Sequence, residues 1–182
     1  YGIGNKINSI ITMPANGIGS AISTIVGQNI GAGQQERADK AYHYALRMGA
    51  LFLLFFGLIL SRRFISHAMV TFFSADERVI PLATDFLSLM AFWCWSNAFY
   101  NVTQGLFQGS GHTMITMIVD ASRIWIFRLL TLWVCANVLN MGVESIWYAV
   151  VISNGTSAAI LYALYWTGIW KKSTIKIEKA ES

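Results

Sequence analysis

Three ionisable side chains, Asp120, Arg123 and Arg128, stand inside a largely apolar run that extends from Met114 to Val138. Charge in hydrocarbon is costly, so such groups mark paired charges, proton or ion pathways, or contacts with another part of the protein. Asp120 and Arg123 are i, i+3 neighbours and can neutralise each other on one helix face with Thr113 and Thr116. The pair is a candidate for ion coupling and equally for a purely structural charge pair. Arg128 has no such neighbour and is expected to pair elsewhere or to extend its head group to the interface.

A second constellation is uncharged. Trp93, Asn97, Asn101, Gln104 and Gln108 recur at i, i+4, i+8, i+11 and i+15 and so share one helix face. Amides beside a large aromatic ring suit a cavity that holds amphipathic molecules by many weak contacts. The same amides also suit a network that ties helices together, and spacing alone does not separate the two. Tyr100 and Trp95 lie off this face and are read as packing or lipid-facing residues. Upstream, Asn5, Asn8, Thr12, Asn16, Ser20 and Ser23 form another polar stripe, with Asn16 as its cavity-lining candidate. Pro14 in that stripe removes a backbone hydrogen bond, which fits a gating bend or a fixed kink. Asp85 is placed in the first turn of its helix, where the dipole favours an anion, and is read as a cap.

Metal, nucleophile and phosphate chemistry find no footing. His43, His67 and His112 are isolated near helix ends, and Cys94 and Cys135 fall in apolar runs as free thiols. No catalytic triad or ligand spacing occurs, so the chain is read as no enzyme and without cofactor. The 182 residues are 55% hydrophobic and 12% charged, against roughly 25% charged in a soluble domain. Charge-free runs cover Ile7 to Gln35, Met48 to Ser61, Phe86 to Val119, Leu129 to Val143 and Ser145 to Trp170. Most reach the roughly 20 residues that cross a bilayer core as a helix. Lipid forces backbone groups to be satisfied within each segment, and no long alternating pattern points to a barrel.

The expectation is an all-α integral membrane protein with transmembrane helices near 3–30, 41–61, 82–109, 113–138 and 144–170. Between the second and third, residues 62–75 read as an interfacial helix and loop. Pro81 opens the third helix. Trp147 with Tyr148, and Trp166 with Trp170, read as aromatic belts at the two ends of the last one. Arg37, Lys40 and Arg47 share a side with Lys171, Lys172, Lys176 and Lys179, and these outnumber Lys6, Arg62, Arg63 and Arg78 opposite. The positive-inside rule then puts residues 171–182, a basic tail, in the cytoplasm. The net charge of +4 reports this orientation and offers no basic face to nucleic acid. The chain opens at Tyr1 with neither Met nor a basic leader, which reads as a truncated start without a visible signal peptide.

Two predicted helices end alike, in Gly27-Gln28-Asn29-Ile30-Gly31-Ala32-Gly33 and Gly105-Leu106-Phe107-Gln108-Gly109-Ser110-Gly111. In each, a Gly-xxx-Gly spacing lets a neighbouring helix approach, and the last Gly suits a left-handed helix stop. A dinucleotide loop is ruled out, because Glu36 stands where that fingerprint needs Gly and no strand precedes it. Residues 34–40 read as a charged connector to the next helix.

The first run followed by Glu36-Arg37-Ala38, the run from Gln104 to Gly111, and Gly142-Val143-Glu144-Ser145-Ile146-Trp147 resemble three segments of multidrug and toxic compound extrusion (MATE) transporters, in the same order. The likeness covers nearly the whole chain and implies helices 8 to 12 of a twelve-helix fold of two lobes. It further implies export of cationic or amphipathic compounds in exchange for Na+ or H+, with membrane lipid and the N-terminal lobe as partners. In the DinF-like branch, with which the sequence is read, the proton-linked acidic residue lies on the first helix of the other lobe. Other branches hold cations on helices seven and ten; the resemblance leaves the first outside this chain and makes Asp85 the candidate for the second. A lipid-linked oligosaccharide flippase of the same superfamily and a non-transporting membrane scaffold stay open as alternatives.

Overall fold

The computed structural model describes residues 2–73, 79–138, 142 and 144–171, and their regular structure is helical throughout. Helix α1 is Gly2–Gly31, α2 is Gln35–Leu60 and α3 is Arg63–Phe73. They are followed by α4, Val79–Trp93, and α5, Trp95–Gly109. Next come α6, Thr113–Ser122, a π-helical segment at Arg123–Arg128, and α7, Leu129–Asn137. The last helix, α8, is Glu144–Trp166, with a 3-10 turn at Ile169–Lys171. By length and composition, Gln35–Leu60 and Ser145–Trp166 are each apolar enough to cross a membrane.

Two helices predicted as continuous are interrupted. Between α4 and α5 the backbone tightens at Cys94, whose N–H reaches the Ala91 carbonyl and whose own carbonyl accepts from Asn97. The Cys94 thiol donates instead across to the Leu53 carbonyl at 3.2 Å, fixing the break against α2. In the fourth predicted span, widened π turns replace the α-helix from Arg123 to Arg128, a local form that recurs at functional sites. The second span starts earlier than expected, because residues 35–40 of the charged connector already form the first turns of α2. The predicted interfacial segment is α3, with Ser66 and Val70 buried and Phe64 and Phe72 exposed. Its following loop and the tail beyond Lys171 lie outside the described residues.

Small residues determine how closely the helices meet. A Cβ on Gly105 would overlap the Gly19 carbonyl oxygen, and one on Gly109 would overlap that of Ser23. A Cβ on Gly19 would stand 2.6 Å from the Asn101 carbonyl oxygen, and one on Gly27 3.3 Å from that of Gly109. Thus Gly19, Ser23 and Gly27 on α1 meet Asn101, Gly105 and Gly109 on α5, each set one turn apart, in a parallel seam of backbone against backbone. The expected Gly27-xxx-Gly31 contact is displaced by this: a Cβ on Gly31 would meet nothing within 4 Å. On the other flank, Gly57 of α2 lies against Ala91 and Cys94, and Gly49 against Ala98, so α2 runs antiparallel to α4 and α5.

The two glycine-rich ends close identically. Gly33 and Gly111 take φ of 72° and 86°. In each, the glycine N–H bonds three residues back, to Ile30 or Gln108, and the next N–H bonds five back, to Asn29 or Phe107. This is the Schellman stop the sequence pattern predicts. The residues read as aromatic belts differ in exposure. Tyr148 and Trp166 are exposed, but Trp147 is buried against Phe86 and Trp170 against Tyr165.

Candidate functional site

The centre of the charged site is the Asp120 carboxylate on α6. Gln104 donates from Nε2 to Asp120 Oδ2 at 2.8 Å, and Arg123 approaches Oδ1 at 3.3 Å. Tyr100 adds its hydroxyl to Oδ1, and the Arg123 guanidinium carbon lies 4.4 Å from the centre of the Tyr100 ring. One carboxylate therefore gathers an amide, a phenol and a guanidinium, and the guanidinium in turn gains a cation–π contact. The side chains of Asp120 and Arg123 are only 33% and 23% exposed. Arg123 Nε is buried and has no hydrogen-bond partner among the described residues, so the carboxylate is the main countercharge for this cation there.

Local helical geometry explains who reaches Asp120. Tyr100 and Gln104 are i, i+4 neighbours, one flank of α5, and both point to α6. Asn101 occupies the opposite flank, against Gly19 of α1, and returns its Nδ2 to the Asn97 carbonyl at 2.8 Å. The predicted polar face thus divides, with Gln104 in the charge network and Asn101 beside the glycine seam. Tyr100, read from sequence as packing or lipid-facing, is instead a buried donor of the network. Its one-turn offset from Gln104 was the signal available.

Trp93 is half-exposed and stacks on Trp95 at 6.2 Å between ring centres. Together with Phe99 and Tyr162 these rings border an apolar cleft of about 280 Å³ between α5 and α8. Trp95, placed off the polar face by its spacing, therefore shares a cleft with Trp93. Asn16 is exposed on α1, and the side chains of Asn5 and Asn8 lie outside the described residues. Arg128 directs Nε to Ser153 Oγ at 3.5 Å, the distant partner that the sequence requires.

Two other charged expectations change. Asp85 sits well inside α4, not in its first turn, and pairs with Arg63 at 3.2 Å, tying α3 to α4. His43 is not isolated: Tyr165 donates to Asp39 Oδ1 at 2.7 Å, and its oxygen accepts from His43 Nε2 at 2.9 Å. Beneath them Tyr42 stacks on Tyr165 and shares a hydrogen bond of 2.9 Å with Thr103 of α5. Arg37 of the first glycine motif donates to Gln34 at 2.9 Å, and Gln28 is exposed on α1. Among the described residues no cluster could hold a metal ion.

The fold has counterparts in known proteins. A solved structure, described as the inward-facing conformation of a multidrug resistance MATE family transporter of the MOP superfamily, superposes with a TM-score of 0.80. That alignment covers 94% of this chain and 40% of the other at 18% identity, which establishes likeness of fold. The "Probable multidrug resistance protein NorM" of Thermotoga maritima is 23% identical over 95% of this chain, and that of Chromobacterium violaceum 29% over 88%. "Protein DETOXIFICATION 9" of Arabidopsis thaliana is 26% identical over 88%. The chain spans 37%, 35% and 33% of these three relatives. Residues 1–134 match the family model described as MatE, well over half of the chain, and the protein accordingly belongs to the MatE family.

Proposed function

We propose that this chain builds part of one lobe of a secondary antiporter of the cell membrane, exporting cationic or amphipathic compounds in exchange for Na+ or H+. The observation that carries this reading is the sheltered carboxylate network of Asp120, Tyr100, Gln104 and Arg123 beside the amide and aromatic face of α5. Buried polarity inside an apolar bundle needs a compensating role, and a cavity wall next to a coupling site supplies one. In this reading Gln104 lines the cavity beside Asp120, Asn97 and Asn101 border it on the flank towards α1, where Asn16 contributes, and Trp93 borders it through the aromatic cleft. Asp120 and Arg123 answer the coupling ion. A second lobe supplies the opposite wall, and the basic end of the bundle faces the cytoplasm. The tightened turn at Cys94 and the π segment are places where a helix can yield during rocking between states.

A lipid-linked oligosaccharide flippase would need free cations for pyrophosphate. Arg123 is already matched to Asp120, and Arg128 approaches Ser153, which argues against that reading. The scaffold alternative is separated by experiment. Changing Asn97, Asn101 and Gln104 together to Leu in the full-length protein should abolish resistance to a cationic drug while the membrane level of the protein is retained. Undiminished resistance in cells carrying that variant would favour a scaffold.

A further inference from the structure

The face of α2 turned away from the bundle has an order the transport reading does not use. Ala38, Tyr42, Leu46, Gly49, Leu53 and Gly57 are buried on one side of this helix. Directly opposite, Tyr44, Met48, Leu51 and Phe55 recur at i, i+4, i+7 and i+11 and are each more than 60% exposed. At the head of that stripe, Lys40, His43, Tyr44 and Arg47 border an open groove of about 320 Å³. Basic groups and an amphipathic ring therefore stand one turn above a continuous apolar track on a helix long and apolar enough to span a membrane.

The charges of Lys40 and Arg47 are not cancelled locally. Asp39, the nearest acid, accepts from Tyr165 and lies 3.8 Å from His43 Nε2, so it is engaged with those two groups. Glu36 is exposed one turn above Lys40, and among the described residues neither Lys40 nor Arg47 has an ion pair. The geometry points to a binding site for one anionic phospholipid. We infer that its phosphate sits among Lys40, His43 and Arg47, with Tyr44 at the level of the glycerol, while an acyl chain follows Met48, Leu51 and Phe55. Charge complementarity chooses an anionic over a zwitterionic head group. The track beneath chooses a lipid over a free phosphate.

Native mass spectrometry of the full-length protein, released from micelles doped with phosphatidylglycerol, tests the site. The unaltered protein should retain this lipid in preference to phosphatidylcholine. Lys40→Gln with Arg47→Gln should weaken retention about thirtyfold, the effect of two cations lost at a membrane surface. Lys6→Gln with Arg62→Gln removes the same charge elsewhere and should leave retention unchanged, and excess inorganic phosphate should not displace the lipid. Equal retention by the Lys40/Arg47 variant, equal loss in the Lys6/Arg62 variant, or equal uptake of phosphatidylcholine would overturn the proposal. Displacement by inorganic phosphate would overturn it too, by showing a free-anion site.

Discussion

Replacing Gly105 by alanine is expected to destabilise the protein by roughly 3 kcal/mol, near the upper end of overpacking effects, whereas Gly31→Ala should be neutral or stabilising by roughly 0.5–1 kcal/mol. The two glycines occupy similar motifs, so sequence alone would rank them together. Their surroundings differ. A Cβ on Gly105 meets the carbonyl oxygen, carbonyl carbon and Cα of Gly19, all backbone atoms of a packed helix. No side chain can rotate aside, so α1 and α5 must separate and lose contacts along the whole seam. At Gly31 a Cβ meets nothing within 4 Å, and alanine only restricts the unfolded chain. Unfolding of the two full-length variants by denaturant in matched micelles measures the contrast. Equal stability of the two would remove the seam from the account.

The second large effect lies at Asp120. Asp120→Ala leaves the Arg123 guanidinium without its countercharge and Gln104 without its acceptor, a change worth about 1–3 kcal/mol for a partly buried, hydrogen-bonded pair. Combining it with Arg123→Met should recover part of that loss, because no orphaned guanidinium remains although Tyr100 and Gln104 still lack their acceptor. The same unfolding measurement over the four members of this cycle gives the coupling. A double variant as damaged as the single one, or a single variant with full stability, would mean that the two charges act independently.

Much of this was legible in the chain. Hydropathy located the helices, because a backbone in lipid has few alternatives to the helix. The paired Gly-rich runs foretold two identical stops, since only glycine adopts the required φ at no steric cost. Asp120 and Arg123 were legible as partners from their i, i+3 spacing. What escaped were relations between helices. Tyr100 was set aside because the polar period was counted along one line, whereas α6 packs on the flank that Tyr100 shares with Gln104. Gly31 was expected in a close helix contact and Gly19, which makes one, was passed over, for the same reason: spacing shows which glycines could meet a neighbour, and register decides which do. The π segment left no mark in residue type, since an i, i+5 bond demands no particular side chain. The ties of Asp85 to Arg63 and of Asp39 to Tyr165 bridge separate helices, and pattern reading sees only one helix at a time.

The proposed function requires the polar flank of α5 to be sheltered from acyl chains by its neighbours while the outer face of α2 meets them. Spin labels at Gln104→Cys and, separately, Met48→Cys, in full-length protein lacking Cys94 and Cys135 and placed in bilayers, test this directly through collision with dissolved oxygen. Position 48 should show the high oxygen accessibility of the bilayer interior, and position 104 should be shielded from oxygen. Oxygen accessibility at 104 as high as at 48 would place the Asp120 network against lipid and contradict the account.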